Sequence, residues 1–343
     1  MPPFWNQLTA HLHCLAPMEE VTDTAFREVV ASTAAPGKLG AMFTEFVSTD
    51  GLCHPVGREK VAHRLFISEA EKLLLKEKKI RIVAQIWGSR PEKFAQALRE
   101  VEAFRGFDGI DINMGCPVPK IVKQGGCSAL IRSPSLAKEI VLACKEAIDL
   151  PISVKTRTGI SQHDTEKWIP EILSVRPAAL ILHGRTQKQQ SDGLACWNQI
   201  GLAARLRDQL APGLPVLGNG DVRSLAEADA KCAEHGLQGV MIGRGIFHDP
   251  WLFRPDLPPT DARERLDLLW FHTRRFAENW GDEKNFQVLR RFYKIYAAGF
   301  PDAAVLRNQL MEARDIDHVR DLLSQFGFPP QSCAPSFPEP LKS

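Results

Sequence analysis

Gly109-Ile-Asp-Ile-Asn113, running on into Met114-Gly-Cys-Pro117, is the stretch on which the fold turns. It is a short apolar run that carries a carboxylate and an amide and closes on a Gly-Cys-Pro turn. Similar runs recur at His13–Pro17, Met42–Phe46, Ile82–Trp87, Ile152–Thr156, Ala179–His183, Pro215–Gly218 and Val240–Gly243. Most are continuous Ala, Val, Ile and Leu, the pattern of parallel strands buried on both faces. Together they make eight expected strands.

Helical segments fill the intervals. Pro91–Phe104 opens with proline in its first turn and sets Phe94, Leu98 and Val101 on one stripe. Ser133-Pro134 predicts an N-cap and first-turn proline for a helix burying Leu136, Ile140, Cys144 and Ile148. Ser68–Glu71 and Ser224–Glu227 have the spacing of a capping box. Eight β/α units over about 250 residues predict a (β/α)8 TIM barrel spanning residues 1–254. A doubly wound open sheet shows the same alternation and is the alternative.

Beyond Arg254 the character changes. Pro255-Asp-Leu-Pro-Pro259 reads as a linker, and Thr260 to Phe326 has helical periodicity without strand signals. A small all-helical domain of two to four helices is expected over 255–328. Residues 329–343 hold five prolines and are expected to be disordered.

Composition narrows the function classes. The 343 residues are 44% apolar and 24% charged, with a net charge of +2, so a nucleic-acid surface has to come from a local patch. No apolar run reaches the roughly 18 residues of a membrane span. Met1 to Leu12 lacks the basic and apolar segments of a secretory signal. The eight cysteines form no C-x-x-C pair, which excludes zinc-ribbon and thioredoxin-like motifs, and no metal site is expected. Cys14, Cys144 and Cys232 sit in apolar stretches as core residues, and the scatter suits a reducing cytoplasm.

In a barrel, function sits at the C-terminal ends of the strands. Successive strands here end in Ala16-Pro-Met-Glu19, Gln85, Asp111-Ile-Asn113 to Pro117, Lys155-Thr-Arg157, His183-Gly-Arg185, Asn219-Gly-Asp221 and Gly243-Arg-Gly245. Nearly every strand thus delivers a polar group to one rim, which a purely structural barrel does not need.

Leu15-Ala-Pro-Met18, Thr44-Glu-Phe46, Phe107 to Pro117, Val154-Lys-Thr-Arg157, Ile181-Leu-His-Gly-Arg-Thr186, Gly218-Asn-Gly-Asp221 and Met241-Ile-Gly-Arg244 together resemble the tRNA-dihydrouridine synthases. The likeness spans about residues 12 to 325. Asn113-Met-Gly-Cys-Pro117 is its most specific part, whereas many flavin barrels share the last two glycine motifs. The resemblance implies an FMN enzyme, reduced by NADPH or NADH, that converts uridines of tRNA to 5,6-dihydrouridine. No dinucleotide fingerprint is present, since Gly218-Asn-Gly220 runs into Asp-Val-Arg.

The same resemblance implies the site. Hydride passes from flavin N5 to C6 of the uracil, and Cys116 is the proposed donor of a proton to C5. A thiol with a pKa near 8.5 is mostly protonated at neutrality and can donate. Cys127, in a glycine-rich loop expected to be mobile, is its only rival. Pro17, Met18 and Glu19 are expected against the flavin ring, and Gln85 at its edge. Lys155 supplies a fixed cation, and His183, Asn219, Gly220 and Asp221 line the cofactor. Gly218, Gly220, Gly243 and Gly245 let backbone approach a phosphate that Arg244 grips. Asn113 and Arg157 are candidates for the uracil carbonyls.

In the helical segment, Arg274, Arg275, Lys284, Arg290, Arg291 and Lys294 outnumber Glu278, Asp282 and Glu283. Arg290, Arg291 and Lys294, clustered among three aromatics, are the expected contacts to tRNA phosphates. A monomer without a stable protein partner is expected. Two positions depart from the family pattern: Ser191 stands where an aromatic is usual, and Cys196 where an aspartate often precedes the tryptophan. The competing readings are an FMN barrel acting on a small molecule, dihydroorotate dehydrogenase-like or an ene-reductase, and a tRNA-binding protein without catalysis.

Overall fold

The computed structural model describes residues 4–6, 11–104, 106–255 and 261–330. Most of the expected linker (256–259) and of the expected disordered tail (331–343) lies outside them.

Eight strands form: β1 Leu12–Leu15, β2 Ala41–Phe43, β3 Arg81–Trp87, β4 Gly109–Met114, β5 Ile152–Arg157, β6 Ala179–His183, β7 Val216–Asn219 and β8 Gly239–Ile242. Every neighbouring pair is parallel, and β1 pairs with both β2 and β8. The sheet therefore closes, and the chain is a TIM barrel rather than an open doubly wound sheet. A two-residue strand, Val47–Ser48, adds to β3.

Register decides what faces inward. Side chains alternate along a strand, so every second residue enters the barrel. Its lower layers hold Cys14, Phe43, Val83, Ala179, Ile181, Leu217 and Met241, all fully buried, with Trp5 at the floor. Burying each large aliphatic there contributes about 1.5–3 kcal/mol. Further along the same inward rows the residues turn polar: Gln85 is in register with Asp111, Asn113 with Lys155, Arg157 with His183, and His183 with Asn219. The apolar plug thus ends where a polar floor begins.

Among the described residues, seven helices of ten or more residues cover the barrel: α1 Thr24–Thr33, α2 Glu69–Lys78, α3 Pro91–Phe104, α4 Pro134–Ala147, α5 Thr165–Ser174, α6 Trp197–Leu210 and α7 Leu225–His235. The helix beginnings differ in detail from the sequence expectation. Ser133 occupies the N-cap position of α4 without a side-chain cap bond, and Ile148 is its extended C-cap residue. Ser224 caps α7 through the Glu227 amide, but the Glu227 carboxylate reaches the Arg223 N–H instead of returning to Ser224. At α2, Ser68 accepts from the Glu71 amide while the Glu71 carboxylate turns into the core to bind Arg27 and Thr24. A buried guanidinium needs that charge more than the helix terminus does.

Four further helices follow: α8 Ala262–Trp280, α9 Arg290–Tyr296, α10 Ala303–Leu310 and α11 Ile316–Gln325. α8 and α9 pack on α1, where Phe26 stacks on Phe292 and His272 meets the Phe292 ring edge-on. Buried Glu28 of α1 accepts from Arg275, Asn279 and Ser68, locking that junction.

Candidate active site

The rim of the barrel opens into a cavity of about 890 Å³. Its apolar wall is Ala16, Pro17, Met18 and Met241, with Gly243 beside Met18. Facing it are the polar ends of β3 to β7: Gln85, Asn113, Lys155, Arg157, His183 and Asn219. Cys116 borders the same cavity, as do Gly220, Asp221, Gly243 and Arg244. The thiol and the glycine-lined turns therefore share one pocket. Glu19 does not line it, because its carboxylate turns to Arg64.

The floor is a directed hydrogen-bond relay. Asp111, fully buried, accepts from Ser153 Oγ at 2.6 Å and Gln85 Nε2 at 2.7 Å. Gln85 Oε1 then accepts from Asn113 Nδ2 at 2.9 Å. Asn113 Oδ1 in turn receives the backbone N–H groups of Gly115 and Cys116, both at 3.0 Å. Burial raises the Asp111 carboxyl to about 6. It stays ionised at neutrality and fixes which end of each amide points where. Gln85 and Asn113 each keep one N–H for a ligand.

Lys155 Nζ donates to Asn219 Oδ1 at 2.9 Å, and Asn219 Nδ2 to the Met241 carbonyl. Burial lowers the Lys155 ammonium to about 8, which leaves it charged at neutral pH. Arg157, lowered to about 10 by burial, donates to the carbonyls of Gly115, Thr186 and Gln190. It braces both the Cys116 turn and the loop after β6, with Nη2 left over. His183 is held well below its ordinary pKa by burial and by the surrounding Lys155, Arg157, Arg185 and Arg244. It is neutral, and because Arg185 can only donate to its Nε2 at 3.2 Å, its proton sits on Nδ1.

Cys116 is half-buried, and its thiol is lowered to about 7, chiefly by a hydrogen bond from Cys127. The expected value near 8.5 is thus corrected by a neighbour eleven positions on, unseen as a partner in the sequence. Cys127 is itself fully buried, at the head of a helical turn (Cys127–Arg132). It is not the mobile thiol that Gly125 and Gly126 suggest.

Gly220 adopts φ +136, and a Cβ there would meet Ala195 Cβ at 2.5 Å. Gly218 does not line the cavity and serves packing, since a Cβ would strike the Trp197 ring at 2.5 Å; Gly245 does line it, and a Cβ there would strike the Val222 carbonyl at 2.2 Å. Arg244 extends into solvent beside the uncapped helical turn that starts at Gly243, with Asp221 3.6 Å away.

The basic patch divides. Arg274 and Arg275 pair with Glu278, Arg275 also with Glu28, and Lys284 with Asp23 at 3.1 Å. Arg291 binds Glu20, Arg290 donates to the Ala313 carbonyl, and Lys294 is exposed. Phe292, Tyr293 and Tyr296 are buried and face the core.

Arg185 and Asp111 stand among the strand ends in the sequence reading without a role; in the structure Arg185 Nη2 binds both Asp221 oxygens at 2.7 Å, and Asp111 is the root of the relay. Period-two alternation from Asn113 back to Asp111 was the available signal for the latter.

A dihydrouridine synthase family model matches residues 14–326. The chain belongs to the dihydrouridine synthase family. Within this family, it is 42% identical over 325 residues to a probable tRNA-dihydrouridine synthase of Staphylococcus aureus (strain COL), covering 94% of this chain and 95% of that one. It is 40% identical over 325 residues to probable tRNA-dihydrouridine synthase 2 of Bacillus subtilis (strain 168), covering 94% and 96%. A solved morphinone reductase mutant in complex with tetrahydroNAD superposes with a TM-score of 0.47 at 13% identity, covering 73% of this chain and 88% of that one. Among the described residues no helix is long and apolar enough to cross a membrane, and no group of three or more acidic, His or Cys side chains is arranged to hold a metal.

Proposed function

We propose that this chain reduces the C5=C6 bond of specific uridines in tRNA to 5,6-dihydrouridine, using FMN reduced by NADPH or NADH. The observation that carries the reading is the shared cavity, with a tuned thiol at one edge and a cationic, glycine-lined pocket opposite. The donor set fits FMN. Lys155, Gln85 and Asn219 suit the polar edge of a planar ring, Pro17 and Met18 its face, and Gly220, Gly243 and Arg244 a phosphate. His183, neutral and donating from Nδ1, adds a further ligand contact. Asp221 takes part through Arg185 and the loop it holds.

When bound, reduced FMN supplies hydride to C6 of the uracil. The chain does the rest. Lys155, charged at neutrality, would stabilise negative charge on a ring held beside it. Cys116 gives its proton to C5, and a thiol with a pKa near the working pH both donates and recovers protons readily. The spare N–H groups of Asn113 and Arg157 Nη2 serve the uracil carbonyls. The uridine has to leave its stack to reach this rim. Residues 255–328 form the tRNA-binding part of this reading, with Lys294, Arg290 and Arg291 offered to phosphates.

The test is Cys116→Ala. It should purify yellow, with bound FMN, be reduced by NADPH and lose most turnover on tRNA. Full turnover removes the proton-donor assignment. Equal activity on free uracil and on tRNA favours a small-molecule reductase.

A further inference from the structure

We propose that Cys127 is a positioning residue for the reaction: its thiol is a permanent donor to the sulfur of Cys116 and stabilises the thiolate left behind when Cys116 gives up its proton. This rests on the reading of Cys116 as the proton donor and extends it to a second sulfur.

The geometry is specific. The side chains of Cys116 and Cys127 are hydrogen-bonded to one another, and the Cys116 N–H also faces the Cys127 sulfur. The two residues are tied a second time through the backbone. The Cys116 carbonyl accepts from Ser128 Oγ at 2.7 Å and from the Ser128 amide at 3.3 Å. Asn113 holds the Cys116 amide from the other side. Cys127 adopts φ +51, a left-handed conformation that non-glycine residues rarely take. It is fully buried, whereas Cys116 borders the cavity.

Burial settles which thiol donates. Desolvation drives the Cys127 thiol well above the ordinary range, so it remains S–H throughout the interval in which Cys116 titrates. A buried thiol with a thiolate neighbour can then act only as donor. During the reaction the Cys116 S–H bond breaks, the C5–H bond forms, and the electron pair stays on the Cys116 sulfur. Hydride at C6 uses the π electrons of the C5=C6 bond to balance the step. Cys127 neither gains nor loses a proton. Its hydrogen bond strengthens as the charge develops, which is the differential stabilisation a donor beside a nascent anion provides.

The experiment measures the pH midpoint for alkylation of Cys116 by iodoacetamide in the FMN-bound protein without tRNA. The peptide containing Cys116 is quantified by mass spectrometry. Cys127→Ala should raise the midpoint, with about tenfold less thiolate at a fixed pH below it. Cys127→Ser, which keeps a donor, should bring the midpoint back toward wild type. Cys127→Gly removes the donor while suiting the left-handed backbone, and should match the alanine variant even if alanine impairs folding. An unchanged midpoint in the Ala and Gly variants overturns the proposal, as does a serine variant no better than alanine. In turnover on tRNA, the falling limb of the pH profile should move upward in the donorless variants only. The alkylation midpoint does not depend on whether Cys116 is the acid. Failure of that assignment, read from Cys116→Ala, is therefore separable from failure of this one.

Discussion

Arg185 Nη2 donates to both carboxylate oxygens of Asp221 at 2.7 Å, from a guanidinium that is only 2% exposed. Asp221 sits at φ +59 in the turn after β7, and its Oδ2 also receives the Ala195 N–H at 2.7 Å. Arg185 Nε and Nη2 reach the Gly193 carbonyl as well. One ion pair therefore ties the loop after β6 to the turn after β7, the two segments that wall the cavity. Burial alone would raise the Asp221 carboxyl, but Arg185 and the Ala195 amide hold it below the usual range.

Replacing Arg185 by Leu should leave Asp221 and the carbonyls of Asp192 and Gly193 without their donor. Breaking a buried pair from one side costs about 3–5 kcal/mol, and the partial exposure of Asp221 puts this case at the lower end. Thermal melts should show a lower Tm, and FMN should dissociate more readily on dilution. A variant that melts with wild type and keeps its flavin would show that the loop does not depend on this pair.

Lys155 makes the pH dependence of the flavin half-reaction predictable. Its pKa is depressed to about 8 by burial, so the cation is present below that pH and lost above it. Flavin reduction by NADPH should slow as pH rises through about 8 in wild type. Lys155→Met should be slow throughout and flat across that range. A stopped-flow series from pH 6.5 to 9.5, on the order of ten points, separates the two. A wild-type rate that does not change across the window means that the charge on Lys155 is not used.

The strands and the Cys116 turn were legible because local pattern fixes them: an apolar run, a polar end, a Gly-Cys-Pro turn. Partners brought in by register were not. Asp111 meets Gln85 and Ser153 across neighbouring strands, from 26 and 42 positions away, and no spacing within Gly109–Asn113 announces either. The basic patch misled for a related reason. Arg275 counts as a free cation on its own helix, but it is met by Glu28 from α1, 247 positions earlier. Cys127 read as mobile because two glycines precede it, whereas the helical turn beginning there buries it.

Cys196 offers a test of helix-end chemistry. It is the N-cap residue of α6, with extended backbone (φ −85, ψ 95), and its side chain makes no cap bond. The first amides of that helix lack a side-chain acceptor at the position where the family pattern often has aspartate. Cys196→Asp should add one, together with a favourable charge at the helix N-terminus, and stabilise the fold by about 1 kcal/mol. Denaturant unfolding should show a higher midpoint at constant slope. A lower midpoint would mean that the nearby Asp221 carboxylate repels the new charge more strongly than the helix terminus attracts it.

The division of the basic patch makes a prediction about salt. A cation that meets RNA phosphates releases counterions, so affinity falls with log salt at about 0.9 per contact on duplex and about 0.7 on single strand. Lys294 is exposed on α9, whereas Arg275 is tied to Glu28 at the junction with α1. Lys294→Ala should therefore weaken tRNA binding and flatten the salt dependence by about one contact, with flavin reduction by NADPH unchanged. Arg275→Ala should do the reverse, lowering Tm by exposing buried Glu28 while leaving the salt slope alone. Filter binding of tRNA at four or so salt concentrations gives both slopes. If Lys294→Ala keeps the wild-type slope, the phosphate backbone does not pass over this face. The tRNA then approaches the cavity from the side of the loop after β6, where Ser191 replaces the usual aromatic.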